Sequence, residues 1–198
     1  MTSTVDLASR VSSSIRASIA VKEILVQDTE LISLIATVSE LLIDAFRSKK
    51  KVILFGNGGS AADAQHIAAE FVGRFAFNRA ALPALALSVN TSCITAIGND
   101  YGYDLIFSRQ IEALGQAGDV AIGISTSGNS RNVIQAISVA KQMGLRTIAL
   151  CGSGGGKLKN EVDHCISVPS NETPRIQECH ILIGHIISEL VEKAIFHA

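Results

Sequence analysis

Hydrophobic positions along the chain follow two different rhythms. In the first, Leu7, Val11, Ile15 and Ile19 recur at spacings of four, with Val26 about two turns further on, which predicts an amphipathic helix over Val5–Val26. A second helix is predicted over Thr29–Ser48, where Leu31, Ile32, Leu34, Ile35, Val38, Leu41, Leu42 and Phe46 form the apolar set. From Lys51 the rhythm changes to short apolar runs alternating with helical stretches, the signature of parallel βα units. Strands are expected at Val52–Phe55, Ala84–Leu87, Val120–Ile124, Thr147–Leu150 and Cys165–Val168. Helices are expected between them at Ser60–Phe75, Thr91–Ile97, Tyr103–Leu114 and Ser130–Met143, with a short one near Gly156–Asn160. The fold class is therefore α/β, a five-stranded parallel sheet with helices on both faces.

The last segment, from Pro174 to Phe196, is apolar almost all round: Ile181, Leu182, Ile183, Ile186, Ile187, Leu190, Val191 and Ile195 cannot all face one sheet. A helix of that kind is buried on most sides, which points to a subunit interface. The first helix, lying outside the βα core, is likewise expected to dock against another subunit. Gln177, Glu178, His180 and His185 are polar groups within the last helix, and buried polar groups need partners.

Composition narrows the picture. With 198 residues, 47% of them hydrophobic, the chain suits one domain spanning 1–198, and residues 1–48 form an N-terminal helical extension. Its three prolines, Pro83, Pro169 and Pro174, mark no linker that would divide it. The 17 basic and 18 acidic residues nearly cancel, which argues against a nucleic-acid or membrane partner and favours a small metabolite. Cys93, Cys151, Cys165 and Cys179 are scattered without a Cys-x-x-Cys pair, the first segment has no signal-peptide pattern, and no apolar run approaches spanning length. A reduced, cytoplasmic protein is expected.

Two strand exits carry candidate chemistry. Gly56-Asn57-Gly58-Gly59-Ser60 and Ser125-Thr126-Ser127-Gly128-Asn129-Ser130 each lead from a strand into a helix. In an open parallel sheet, ligands bind beyond the carboxyl ends of the strands where strand order reverses. Free N–H groups at a helix start and clustered hydroxyls suit a phosphate monoester, with Ser130 in the N-cap position. The first exit also satisfies the dinucleotide fingerprint G-x-G-x-x-G/A, but its partner strand ends Leu87-Ser88-Val89-Asn90 with no carboxylate for a ribose, so that reading is set aside. On the helix after the glycine loop, His66 and Glu70 are four apart and project from one face, where they can bind a metal or supply a base.

Together, Gly-Asn-Gly-Gly-Ser at 56–60, Ser-Thr-Ser-Gly-Asn-Ser at 125–130, Gly98-Asn99-Asp100 and Arg175-Ile176-Gln177-Glu178 resemble the sugar isomerase (SIS) domain family. Within it, the whole chain is similar to the phosphoheptose isomerases. That resemblance implies a three-layer SIS fold, a homotetramer with active sites at subunit interfaces, and conversion of sedoheptulose 7-phosphate to D-glycero-D-manno-heptose 7-phosphate. The reaction is the first step toward nucleotide-activated heptose for cell-surface polysaccharide. It also implies that Asn57, Gly58, Gly59, Asn99 and Asp100 contact substrate, that Ser125, Thr126, Ser127 and Ser130 hold the phosphate, and that Ser60 lies nearby. One zinc per subunit would be bound by His66, Glu70, Gln177 and His185, with Glu70 as base and His185 as acid; Glu70 and Gln177 would also meet substrate.

Helix geometry bears on that ligand set. Gln177 and His185 are eight residues apart, about 12 Å along an ideal helix. One ion touches both only if it lies midway with both side chains fully extended, or the helix bends, or the two come from different chains. The last reading agrees with a site at a subunit boundary, and His180 is a candidate to support a ligand rather than be one. A related SIS protein that binds the bacterial replication initiator is the alternative. It lacks the carboxylate matching Glu70 and the imidazole matching His185, both present here. A phosphosugar-sensing regulatory domain is a third reading, and no DNA-binding segment accompanies it.

Overall fold

The structure, a computed structural model, describes residues 4–196; the ends of the expected domain, 1–3 and 197–198, lie outside that span. Two helices, α1 (Thr4–Gln27) and α2 (Thr29–Arg47), precede the sheet. The break between them is set by Asp28, whose carboxylate accepts the Leu31 N–H at 2.9 Å and caps α2. The remaining elements are β1 (Val52–Gly56), α3 (Gly59–Val72), β2 (Ala84–Ala86), α4 (Thr91–Tyr101), α5 (Ser108–Leu114), β3 (Val120–Ser125), α6 (Arg131–Gln142), β4 (Arg146–Cys151), β5 (His164–Ser167) and α7 (Thr173–Phe196). Short 3₁₀ turns cover Tyr103–Leu105 and Lys157–Asn160.

All five strands are parallel in the order β2-β1-β3-β4-β5. Strand order reverses between β1 and β3, so the exits of these two strands lie side by side at the switch point. Alternation along the strands divides the core. Leu54, Ile122, Ile124, Ile148 and Leu150 face a layer containing α2, α3 and α7, while Ile53, Phe55, Ala121 and Ala149 face α5 and α6.

Three expectations needed correction. The helix expected over Ser60–Phe75 stops at Val72, because the N–H groups of Phe75 and Ala76 turn to the carboxylate of Glu192 instead of continuing the ladder. The helix expected over Tyr103–Leu114 is split, and α4 runs on to Tyr101 rather than stopping near Ile97. The split lets Ile106 and Phe107 both enter the core, and the buried Gln110 amide holds it by donating to Ile106 O at 2.7 Å and Leu87 O at 3.0 Å.

The last helix packs against α1, α2 and α3, yet Ile186 and Leu190 remain exposed. On α1 the predicted apolar stripe Leu7, Val11, Ile15 and Ile19 is 49–61% exposed, while Val21 and Leu25 join the core. Among the described residues, no helix is long and apolar enough to cross a membrane.

Candidate active site

The glycine and serine loops meet at the switch point, joined by a pair that sequence patterns did not indicate. Asn57 and Asn132 exchange reciprocal amide hydrogen bonds of 2.8 Å each, and Tyr103 donates its hydroxyl to Asn57 Oδ1 at 3.2 Å. The Asn57 side chain is thus committed to tying the first loop to α6. Gly58 sits at φ +55, a conformation that favours glycine, and starts α3 with no side-chain cap. Helix α6 also has no side-chain cap: Ser130 occupies the N-cap position, but its hydroxyl lies 2.9 Å from Ser125 Oγ instead. Both helices therefore present uncapped N-termini at the same sheet edge, each with its macrodipole favouring an anion.

Within the serine loop, Ser127 Oγ is 3.5 Å from Ser125 Oγ and accepts the Asn129 N–H at 3.2 Å. Ser125 is buried, Thr126 and Ser130 are half-buried, and Ser127 is exposed. The loop is braced from outside by the glycine-rich segment after β4. Leu158 N–H donates to Gly128 O, and a Cβ on Gly128 would come 2.1 Å from Gly155 O. Ser60 is buried against Gly56, where a Cβ would lie 2.8 Å from the serine's own Cβ. Asn99 and Asp100 sit on the exposed last turn of α4, where the Asn99 amide donates to Asp100 Oδ1 at 2.8 Å.

The second cluster lies where α3 meets α7. His66 Nε2 stands 2.9 Å from His185 Nε2 and 3.1 Å from Glu70 Oε1, and one ligand atom from each of the three lies within 4.8 Å of the others. A neutral ring nitrogen carries either a proton or a lone pair, so His66 Nε2 cannot satisfy both neighbours at once. A cation at the centre of the three resolves that conflict, and a His, Glu, His donor set is one that zinc accepts. His66 is exposed, Glu70 and His185 are half-buried, and the Phe75 ring centroid lies 5.8 Å from that of His185.

Gln177 meets α3 at its first turn. Its amide packs on Gly59 at the start of α3, so closely that a Cβ there would lie 2.3 Å from Gln177 Nε2. The two helices run alongside one another from that contact to the His66–His185 pair and the adjoining contact of Ile67 with Gly184. Gln177 and His185 thus keep the separation that their spacing on α7 dictates. Asp63, on α3 between these two stations, has an unpartnered buried Oδ2; burial pushes its carboxyl up to about 6, against the lowering influence of His66.

His180 does not support a ligand. It is fully buried beneath the sheet edge, where Nε2 donates to Cys151 O at 3.1 Å and Nδ1 is unpartnered. Burial pushes its pKa down to about 4, with the Cys151 carbonyl acting in the opposite direction. It is a core imidazole, held neutral.

Residues 19–152 match the SIS domain family. The chain is 57% identical to the phosphoheptose isomerase of Sulfurimonas denitrificans over 92% of its own length and 93% of the relative's. It is 56% identical to that of Aneurinibacillus thermoaerophilus, over 94% of both chains. Among solved structures, phosphoheptose isomerase GmhA from Neisseria gonorrhoeae superposes with a TM-score of 0.89 at 43% identity, covering 94% of this chain and 99% of that one. A phosphoheptose isomerase from Francisella tularensis also superposes with a TM-score of 0.89, at 34% identity, covering 94% of this chain and 98% of that one. With switch-point loops and a convergent His–Glu–His cluster beside such matches, the chain belongs to the SIS domain family and, within it, to the phosphoheptose isomerases.

Proposed function

We propose that the chain is an aldose–ketose isomerase that converts sedoheptulose 7-phosphate to D-glycero-D-manno-heptose 7-phosphate. The observation that carries this reading is the convergence of His66, Glu70 and His185 between α7 and α3, the helix that starts at the glycine loop of the switch point. Isomerisation removes a proton from the carbon next to the carbonyl, passes through an enediol, and returns a proton to the neighbouring carbon. Glu70 takes and returns that proton, and His185 moves the proton between the sugar oxygens. Ser125, Thr126, Ser127 and Ser130 hold the phosphate, whose binding energy fixes orientation because it is remote from the reacting carbons. Backbone at Gly58 and Gly59 lets the sugar approach closely, with Ser60 behind it and Asn57 keeping the two loops in register.

His66, Glu70 and His185 would hold the zinc, which when bound supplies Lewis-acid polarisation of the sugar oxygens. Gln177 belongs to this set by family resemblance. Its packing on Gly59, at the first turn of α3, supports its reaching substrate or metal across a subunit boundary. The exposed stripe on α1 and the exposed Ile186 and Leu190 on α7 support assembly into a homotetramer, and Asn99 and Asp100 on exposed α4 are placed to meet substrate from such an interface. The near-neutral charge and the four free cysteines support a cytoplasmic location. Glu70 and His185, a working acid–base pair, favour this reading over a non-catalytic initiator-binding module.

A coupled assay with sedoheptulose 7-phosphate tests the proposal. Turnover is expected in the metal-replete protein, lost with a chelator and restored by zinc. No turnover of that sugar phosphate by the zinc-loaded protein would overturn it.

A further inference from the structure

We infer that Arg79 and Glu192 are positioning residues for the His66–Glu70–His185 cluster; the inference rests on the metal-site reading above but not on the identity of the substrate. Arg79 meets the cluster at the Glu70 backbone rather than at a ligand atom, and neither residue lies in a motif discussed above.

The cluster depends on two helices. His66 and Glu70 ride on α3 and His185 on α7, so their separation is only as well defined as the packing of one helix on the other. At the start of α3 and within the cluster the spacing is set by contact, with Gln177 on Gly59 and Ile67 on Gly184, where an added Cβ would come 2.5 Å from Ile67 Cδ1. Beyond it, α3 has ended at Val72, and the joint is polar. Glu192 of α7 accepts the Phe75 N–H at 2.8 Å, the Ala76 N–H at 2.7 Å and Arg79 Nε at 2.8 Å. Arg79 extends the joint into α3, with Nη2 donating to Glu70 O at 2.7 Å and Nη1 to Phe71 O at 2.8 Å. One guanidinium therefore links the backbone of a cluster residue directly to the opposing helix.

Both side chains are almost completely buried, at 2% exposure for Arg79 and 1% for Glu192. Burial alone would raise the Glu192 carboxyl; its two backbone donors and Arg79 hold it below the usual range. A buried ion pair is weak as a stabiliser, since apolar residues of similar volume often replace one without loss. What apolar residues cannot supply is direction. The planar fork fixes the last turn of α3 at defined angles. The same carboxylate, through the Phe75 N–H, fixes the segment whose ring faces His185. Metal ligation tolerates displacements of only about 0.2 Å, so a joint of this kind decides whether the three donor atoms converge.

The test compares zinc affinity, by competition with a chromophoric chelator, and the cobalt absorption spectrum, all well below each variant's Tm. Variants are Glu192→Gln, Arg79→Lys and, as a control, Asp119→Asn. Asp119 is an equivalent buried carboxylate, 1% exposed, which accepts from Lys51 N at 3.0 Å, Lys51 Nζ at 2.5 Å and Gln116 N at 2.8 Å where β1 and β3 begin, with no bond to α3 or α7 among them. Glu192→Gln and Arg79→Lys are expected to weaken zinc about tenfold or more and to alter the cobalt spectrum. Asp119→Asn is expected to lower Tm while leaving both readouts at the parent value. Parent-like affinity and spectrum in Arg79→Lys, the milder change, would overturn the inference, as would equal weakening in the control. A parent protein that takes up neither zinc nor cobalt sinks the metal reading itself, a result distinct from either.

Discussion

The serine loop and the α3–α7 corner are built in opposite ways and stand apart, the loop at the carboxyl edge of the sheet and the corner down α3, whose Phe71 carbonyl accepts from Leu82 beside the start of β1. The loop is one short run, Ser125 to Ser130, whose hydroxyls contact each other across at most five residues. The corner joins His66 to His185, 119 residues away, and holds them through helix packing and the Arg79–Glu192 joint. A contiguous loop keeps its local geometry as long as the strand and helix flanking it form. A corner keeps its geometry only if two helices settle at the right distance, so the same small shift costs more there. The division also suits the proposed chemistry, since phosphate binding by several donors tolerates small errors whereas proton transfer and metal ligation do not.

The sharpest way to break that division is Glu70→Gln. The change leaves the helix intact and is expected to lower kcat by about 10²–10⁴-fold while phosphosugar binding, measured by calorimetry, persists. Full activity in that variant would remove the corner from the chemistry.

A smaller effect separates the two histidines of α7. His180 has a folded pKa of about 4 against an ordinary value of 6.5, so below pH 6.5 the unfolded chain takes up a proton that the folded one refuses. Its contribution to stability is therefore present above pH 6.5 and lost as pH falls toward 4, on the order of 3 kcal/mol. Asp63, with its carboxyl raised from 3.8 to about 6, acts in the opposite sense over pH 4–6 and is common to parent and variant. Denaturant unfolding of His180→Gln is expected to show a flatter acid limb than the parent. An unchanged limb would mean that the imidazole is not held neutral in the fold.

The mildest expected effect is at the loop. Ser130→Ala removes one hydroxyl from a multi-donor site and is expected to raise KM roughly tenfold, about 1.4 kcal/mol, with kcat within twofold. A fall in kcat with KM unchanged would mean that the loop takes part in the chemistry and would dissolve the contrast with the corner.

Much of this was legible in the chain. The change from fourfold spacing to short apolar runs marked the two leading helices and all five strands, because burial of one face imposes that period wherever the core lies. The two loops were visible because Gly, Ser and Asn at a strand exit have a local reason to be there. What the local pattern could not show are pairings whose members are far apart. The Asn57–Asn132 amide pair, the Arg79–Glu192 joint and the Ile106 break each depend on a partner that no periodicity announces.

The residues His66, Glu70, Gln177 and His185 are equally plain as letters, but the sequence alone determined just their spacing within each helix. Spacing put His66 and Glu70 on one face and set Gln177 about 12 Å from His185. Which of them converge was decided by the tertiary structure. Gly59 and Gly184 have no side chain to keep α7 away from α3, so the helices lie alongside, and His185 meets His66 while Gln177 comes to rest on Gly59.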